Sequence, residues 1–172
     1  NLHSVYEWIE KLSQDNQLEV TLLHVIETPV VPSDYLQPVN YLSEFYANYH
    51  KTQENRLKEL GKEVFFKNVA LTLKIADNPG LEVSHSIADY ASFMEPDLII
   101  LTSKHRSGLN KVLAGSQLIR TIRMSRFPML ILSPGQVPNI KRTIFATDFS
   151  DSSAHYFKKT EEIGKKLGFA IQ

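Results

Sequence analysis

The hydrophobic positions of this chain change period several times, and each change marks an element. Val5, Trp8, Ile9 and Leu12 recur at i, i+3, i+4 and i+7, which predicts an amphipathic helix. Asn16 and Gln17 break that pattern, and residues 18–25 (LEVTLLHV) read as a strand rich in apolar and β-branched side chains. Pro29, Pro32 and Pro38 mark an irregular connection, because proline lacks the amide that a helix interior needs. A long, mostly polar helical pattern returns over residues 41–66, ending near Gly61 or a little beyond. Residues 69–75 (VALTLKI) place large apolar groups at every second position, as a half-buried strand does.

Residues 77–80 (DNPG) predict a turn, and residues 81–93 a helix with Ile87, Ala88 and Ala91 inward. A strand follows at 97–101, where the unbroken apolar run 98–101 suits a strand covered on both faces of a parallel sheet. The run stops at Thr102, and a helical pattern resumes over 115–125. Residues 128–132 (PMLIL) form a last short strand, closed by Ser133-Pro134-Gly135.

Strands alternating with helices imply βαβ units, hence an α/β fold: a doubly wound open parallel sheet with helices on both faces. Four strands and four helices account for residues 1–133, which begin with a helix and lack the strand that should precede it. Residues 134–140 are linker-like, and 141–172 begin a second unit: a strand at 143–147 (TIFAT), capping residues at 148–151, and a helix to about Leu167. Offset by 151 positions, the tail helix lies on the first, Tyr156 over Val5, Phe157 over Tyr6, Thr160 over Ile9 and Ile163 over Leu12. The chain opens on Asn1 rather than Met, which predicts a piece of a longer protein.

Composition narrows the function classes. Lys and Arg equal Asp and Glu at 19 each, so no net field draws the chain to nucleic acid or to an acidic membrane. No apolar stretch is long enough to span a bilayer. The absence of cysteine excludes disulfides and thiol chemistry and suits a cytoplasmic address. The six histidines form no close ligand pair, which argues against a metal site. Ser103 and Ser107 flank His105, but without an acid partner or a nucleophile elbow they do not make a hydrolase. No other acid–base or nucleophile set stands out, so the expectation is a protein that is not an enzyme. Lys104, His105 and Arg106 read either as an anion site built from side chains or as a solvated loop. Arg120, Arg123 and Arg126 read as a solvated helix face, and Trp8, Tyr41, Tyr46 and Tyr49 as core or helix-face aromatics.

The loop from Thr102 to Gly115-Ser116 is the first place to look for binding. It leaves a parallel strand and feeds a helix N-terminus, where free amides and the helix dipole favour an anion. At this point several segments together resemble the universal stress protein family: VTLLHV from Val20, the DNPG turn, DLIIL from Asp97, LAGSQLIR from Leu113 and PMLIL from Pro128. The tail TIFATDFSDSS, from Thr143, is similar to that family's first strand and following loop. The resemblance implies a tandem member, a five-stranded sheet of order 3-2-1-4-5, and frequent homodimers paired through the last edge strand.

Nucleotide-binding members carry G-x2-G-x9-G-[ST]. Counting back from Gly115-Ser116, the first two glycines fall at Thr102 and His105, and Gly108 is out of register. Glycine lets backbone pass close under phosphates at positive φ, which neither Thr nor His does cheaply. The helix start keeps its N–H groups at Ser116 and Gln117. By the same resemblance Val25 matches a position that packs near the base; its other reading is an ordinary core residue. Asp148 matches an acidic residue near the adenosine; its other reading is a helix cap. The leading expectation is a non-catalytic stress-response module with a degenerate nucleotide site, acting through dimerisation or protein partners. The alternative is a domain that binds ATP or AMP, with at most slow ATP hydrolysis. The vacant first-strand place predicts that residues 143–147 fill it, in their own chain or in a partner by strand swapping.

Overall fold

The computed structural model describes residues 3–14, 17–27, 39–63, 69–77, 81–102, 117–132, 140 and 143–168. The elements run α1 (His3–Ser13), β1 (Leu18–Ile26), α2 (Val39–Glu63), β2 (Val69–Asp77), α3 (Val83–Met94), β3 (Ile99–Thr102), α4 (Gln117–Met124), β4 (Met129–Leu132) and α5 (Asp151–Leu167). Helices and strands alternate through β4, as the changes of period predict.

The strands pair in parallel as two ribbons. β1 runs beside β2 from Leu18 opposite Val69 to Ile26 opposite Asp77. β3 runs beside β4 from Ile99 opposite Met129 to Thr102 opposite Leu132. The Ile99 amide extends the second ladder by donating to the Pro128 carbonyl at 2.9 Å. Parallel neighbours need crossover connections, and helices α2 and α4 lie within them.

One core seam joins the ribbons. Val5, Trp8 and Ile9 of α1 are buried with Leu132 of β4. Leu18 and Val20 of β1, Val69 of β2, Ile100 of β3, Leu130 of β4 and Leu167 of α5 pack against that cluster. The spacing that predicts α1 is thus the face by which α1 bridges both ribbons. Burial of such side chains contributes about 1.5–3 kcal/mol each before ordering costs.

Helices α3 and α4 pack through small residues. Ser84, Ser86, Ala88 and Ala91 of α3 are buried, as is Thr121 of α4. Ala88 and Ala91 face inward as expected, whereas Ile87 is only half-buried. Helix α3 closes at Glu95 in the left-handed region (φ 48°), whose amide donates to the Ala91 carbonyl. Pro96 follows and cannot continue the helix.

The tail departs from expectation. Residues 144–147 form no strand; Thr143 makes a single bridge, and Ile144 is 91% exposed. The cause is local. Thr147 Oγ1 accepts from the Phe149 amide at 2.9 Å, and Asp148 Oδ1 accepts from the Ser150 amide at 3.0 Å. Phe149 turns into the left-handed region at φ 62°. Side-chain bonds to nearby amides compete here with a ladder. Among the described residues neither β1 nor β3 gains a third strand, so the five-strand order is not formed by them.

Candidate functional site

Parallel strands end together at one edge, and ligands of open α/β sheets bind outside their carboxyl ends. In this chain that edge carries Val25 and Ile26 of β1, Glu27 just after it, and Thr102 of β3. Helix α4 begins at the same edge with Gln117. Val25 is half-buried and sits opposite Ala76 of β2. Thr102 is the last residue of β3, exposed, and opposite the buried Leu132. His105, Gly115, Ser116, Lys104 and Arg106 lie outside the described residues.

Gln117 makes the contact that organises this edge. Its Nε2 donates to Glu27 Oε1 at 2.9 Å, spanning 90 residues of sequence. The Thr121 hydroxyl donates back to the Gln117 carbonyl at 2.8 Å, which adds a second bond within the first turn of α4. A carboxylate therefore stands beside the helix end where the dipole favours negative charge. Sequence reasoning passed over Glu27. The available signal was its place, immediately after a buried strand and two residues before Pro29.

The helix behind Gln117 is held from one side. Arg120 of α4 donates to Glu82, just ahead of α3, and Arg126 pairs with Glu95 at 3.5 Å. Hydrogen bonding from Arg120 is the main cause that holds the Glu82 carboxyl below its ordinary value, and the same bond pushes the guanidinium up. The three arginines are exposed as expected, but Arg126 lies past the end of α4, and Arg120 and Arg126 are ion-paired to Glu82 and Glu95 at the two ends of α3.

Asp148 bonds within its own turn. It accepts from the Ser150 hydroxyl at 2.6 Å and from the Ser150 amide, and these bonds lower its pKa to about 2. The residue that caps α5 is Ser150, whose side chain accepts from the Ser153 amide at 3.2 Å. Asp148 thus braces the cap instead of supplying it. Among the described residues no three His, Asp or Glu side chains gather as metal ligands.

A sequence model of the universal stress protein family matches residues 2–133. The chain belongs to that family. Among solved structures, this universal stress domain is similar to the hypothetical protein MJ0577, at 19% identity and TM-score 0.57 over 78% of this chain and 88% of that one. It is also similar to a universal stress protein from Archaeoglobus fulgidus DSM 4304, at 18% identity and TM-score 0.63. That second likeness takes in 99% of this chain but 60% of the Archaeoglobus protein. No curated protein matches the chain. At such identities the likeness speaks to the fold, an α/β domain with parallel strands. No helix among the described residues is long and apolar enough to cross a membrane.

Proposed function

We propose that this universal stress domain is a non-catalytic stress-response module, acting through dimerisation or partner binding, with a degenerate nucleotide site. The observation that carries the reading is Thr102. It ends β3 with a β-branched, exposed side chain at the place where the binding motif has its first glycine. A cradle for phosphates needs backbone to approach the ligand closely, and a Cβ with two branches stands in that path. The observed pairings, β1 with β2 and β3 with β4, support the outer pairs of the five-strand order proposed from the family resemblance. A homodimer in the cytoplasm completes the reading, which names no catalytic residue and no required cofactor.

Calorimetry with ATP and Mg²⁺, paired with light scattering for mass, tests this. The expected result is no heat up to millimolar ATP and a dimer that forms regardless of nucleotide. Micromolar ATP binding would overturn the degenerate-site reading. It would then favour the second one, a domain holding ATP or AMP at the amino end of α4.

A further inference from the structure

Helices α3 and α4 carry charge of opposite sign in neighbouring rows. Residues 82–95 hold Glu82, Asp89 and Glu95 with no lysine or arginine, and residues 117–126 hold Arg120, Arg123 and Arg126 with no acid. All six are exposed. Ion pairs join Glu82 to Arg120 near the amino ends and Glu95 to Arg126 past the carboxyl ends, so the two helices run side by side in the same direction. The middle members, Asp89 and Arg123, make no ion pair among the described residues. Large apolar side chains gather at one end of the same layer. Phe93, 81% exposed, and Met94 close α3, Ile122 and Met124 close α4, and all four are exposed. Aromatic residues, Met and Arg are the types enriched where protein surfaces meet.

We propose that the α3–α4 layer is the face by which two copies of this chain pair. The charge rows select the geometry. A two-fold axis running along the helices lays α3 of each copy on α4 of the other, acid row on arginine row, twice over. It brings Asp89 of each copy toward Arg123 of the other. The same axis sets carboxyl ends together, so the exposed Phe93, Met94, Ile122 and Met124 of both copies meet in one apolar cluster. An axis across the helices would lay α3 on α3 and α4 on α4, like charge on like, and would set each apolar end against an amino end. The layer is therefore complementary to itself in one arrangement. The inference rests on the dimer reading above and names its face, which differs from the edge-strand pairing that the family resemblance implies.

Sedimentation velocity over a concentration series, on the whole chain, compares the wild type with Asp89→Arg, Arg123→Glu, the variant carrying both changes, and Phe93→Ser. The positions are exposed, and thermal melting checks that the variants fold. Each single reversal sets like charges together at two symmetric places and should weaken the dimer about tenfold or more. The double variant exchanges the two signs and should return to within about threefold of wild type. Phe93→Ser should weaken the dimer as well, because less apolar surface is buried. Dimer constants unchanged within about twofold in all variants, or a double variant no better than the single ones, would overturn this face and leave the dimer reading standing. A wild type that stays monomeric up to about millimolar concentration would overturn the dimer reading itself, and this face with it.

Discussion

Glu82, at the N-cap position of α3, makes no side-chain cap bond and instead accepts from the guanidinium of Arg120 on α4. The Ser84 hydroxyl donates to the other carboxylate oxygen at 3.4 Å, so the acid links Arg120 of α4 to the first turn of α3. Both partners are about half exposed, at 49% for Arg120 and 47% for Glu82, and such pairs are weakened by solvent. Glu82→Ala and Arg120→Ala should each lower the melting temperature slightly. The double variant should lose less than the sum. Repeating the melts in 1 M salt, where the screening length is about 3 Å, should bring the three variants to additivity.

Trp8 carries more of the stability than any surface pair. It is 6% exposed and sits with Val5, Ile9 and Leu132 in the seam between the ribbons. Trp8→Ala should cost about 3–5 kcal/mol by chemical denaturation, and Trp8→Phe distinctly less. Trp8 is the one tryptophan of the chain, so fluorescence reports wild-type unfolding while circular dichroism must follow the variants. A loss below about 1 kcal/mol in Trp8→Ala would mean that α1 does not hold the two ribbons together.

Gly61, within α2, faces Leu73 of β2. A Cβ at that position would lie 2.7 Å from Leu73 Cδ1 and 3.1 Å from Cδ2. Replacing a helical glycine by alanine gains about 1 kcal/mol in propensity. The obstacle is the tip of a half-buried side chain that can swing, so Gly61→Ala should change stability by less than about 1 kcal/mol. Gly61→Leu forces Leu73 out of its place and should cost about 1–3 kcal/mol. Denaturation midpoints of the two variants, read against wild type, check the order.

What the sequence discloses follows from the range of each interaction. The α1 face is legible because its residues recur every turn, and β2 because alternation survives in Leu71, Leu73 and Ile75. Burial of Ser84 and Ser86 was not legible: apolar periodicity picks out Ile87, but close packing of two helices favours the smaller side chains. The same limit hides Glu27 with Gln117 and Glu82 with Arg120, which stand 90 and 38 residues apart. Each is an ordinary exposed polar residue until the fold supplies its partner. Residues 143–147 mislead in the opposite way. TIFAT has strand composition, yet Thr147, Asp148 and Ser150 bind nearby amides and hydroxyls and turn the chain.

That turn makes the start of α5 sensitive to acid. Asp148 has its pKa lowered from 3.8 to about 2, chiefly because its carboxylate accepts from the Ser150 hydroxyl and then from the Ser150 amide. A folded-state pKa below the unfolded one means that the ionised form is bound more tightly when folded. The contribution is therefore complete above about pH 4 and lost as pH falls toward 2. Because Asp148 is exposed, the loss should be local, a fraying of the first turn of α5 rather than global unfolding. A carboxyl NMR titration should find Asp148 titrating well below the other aspartates. Ser150→Ala removes the hydroxyl bond and the cap to Ser153 together, so it should return the Asp148 pKa toward 3.8 and cost about 1 kcal/mol. An unchanged Asp148 titration in Ser150→Ala would show that the serine is not what holds the carboxylate ionised.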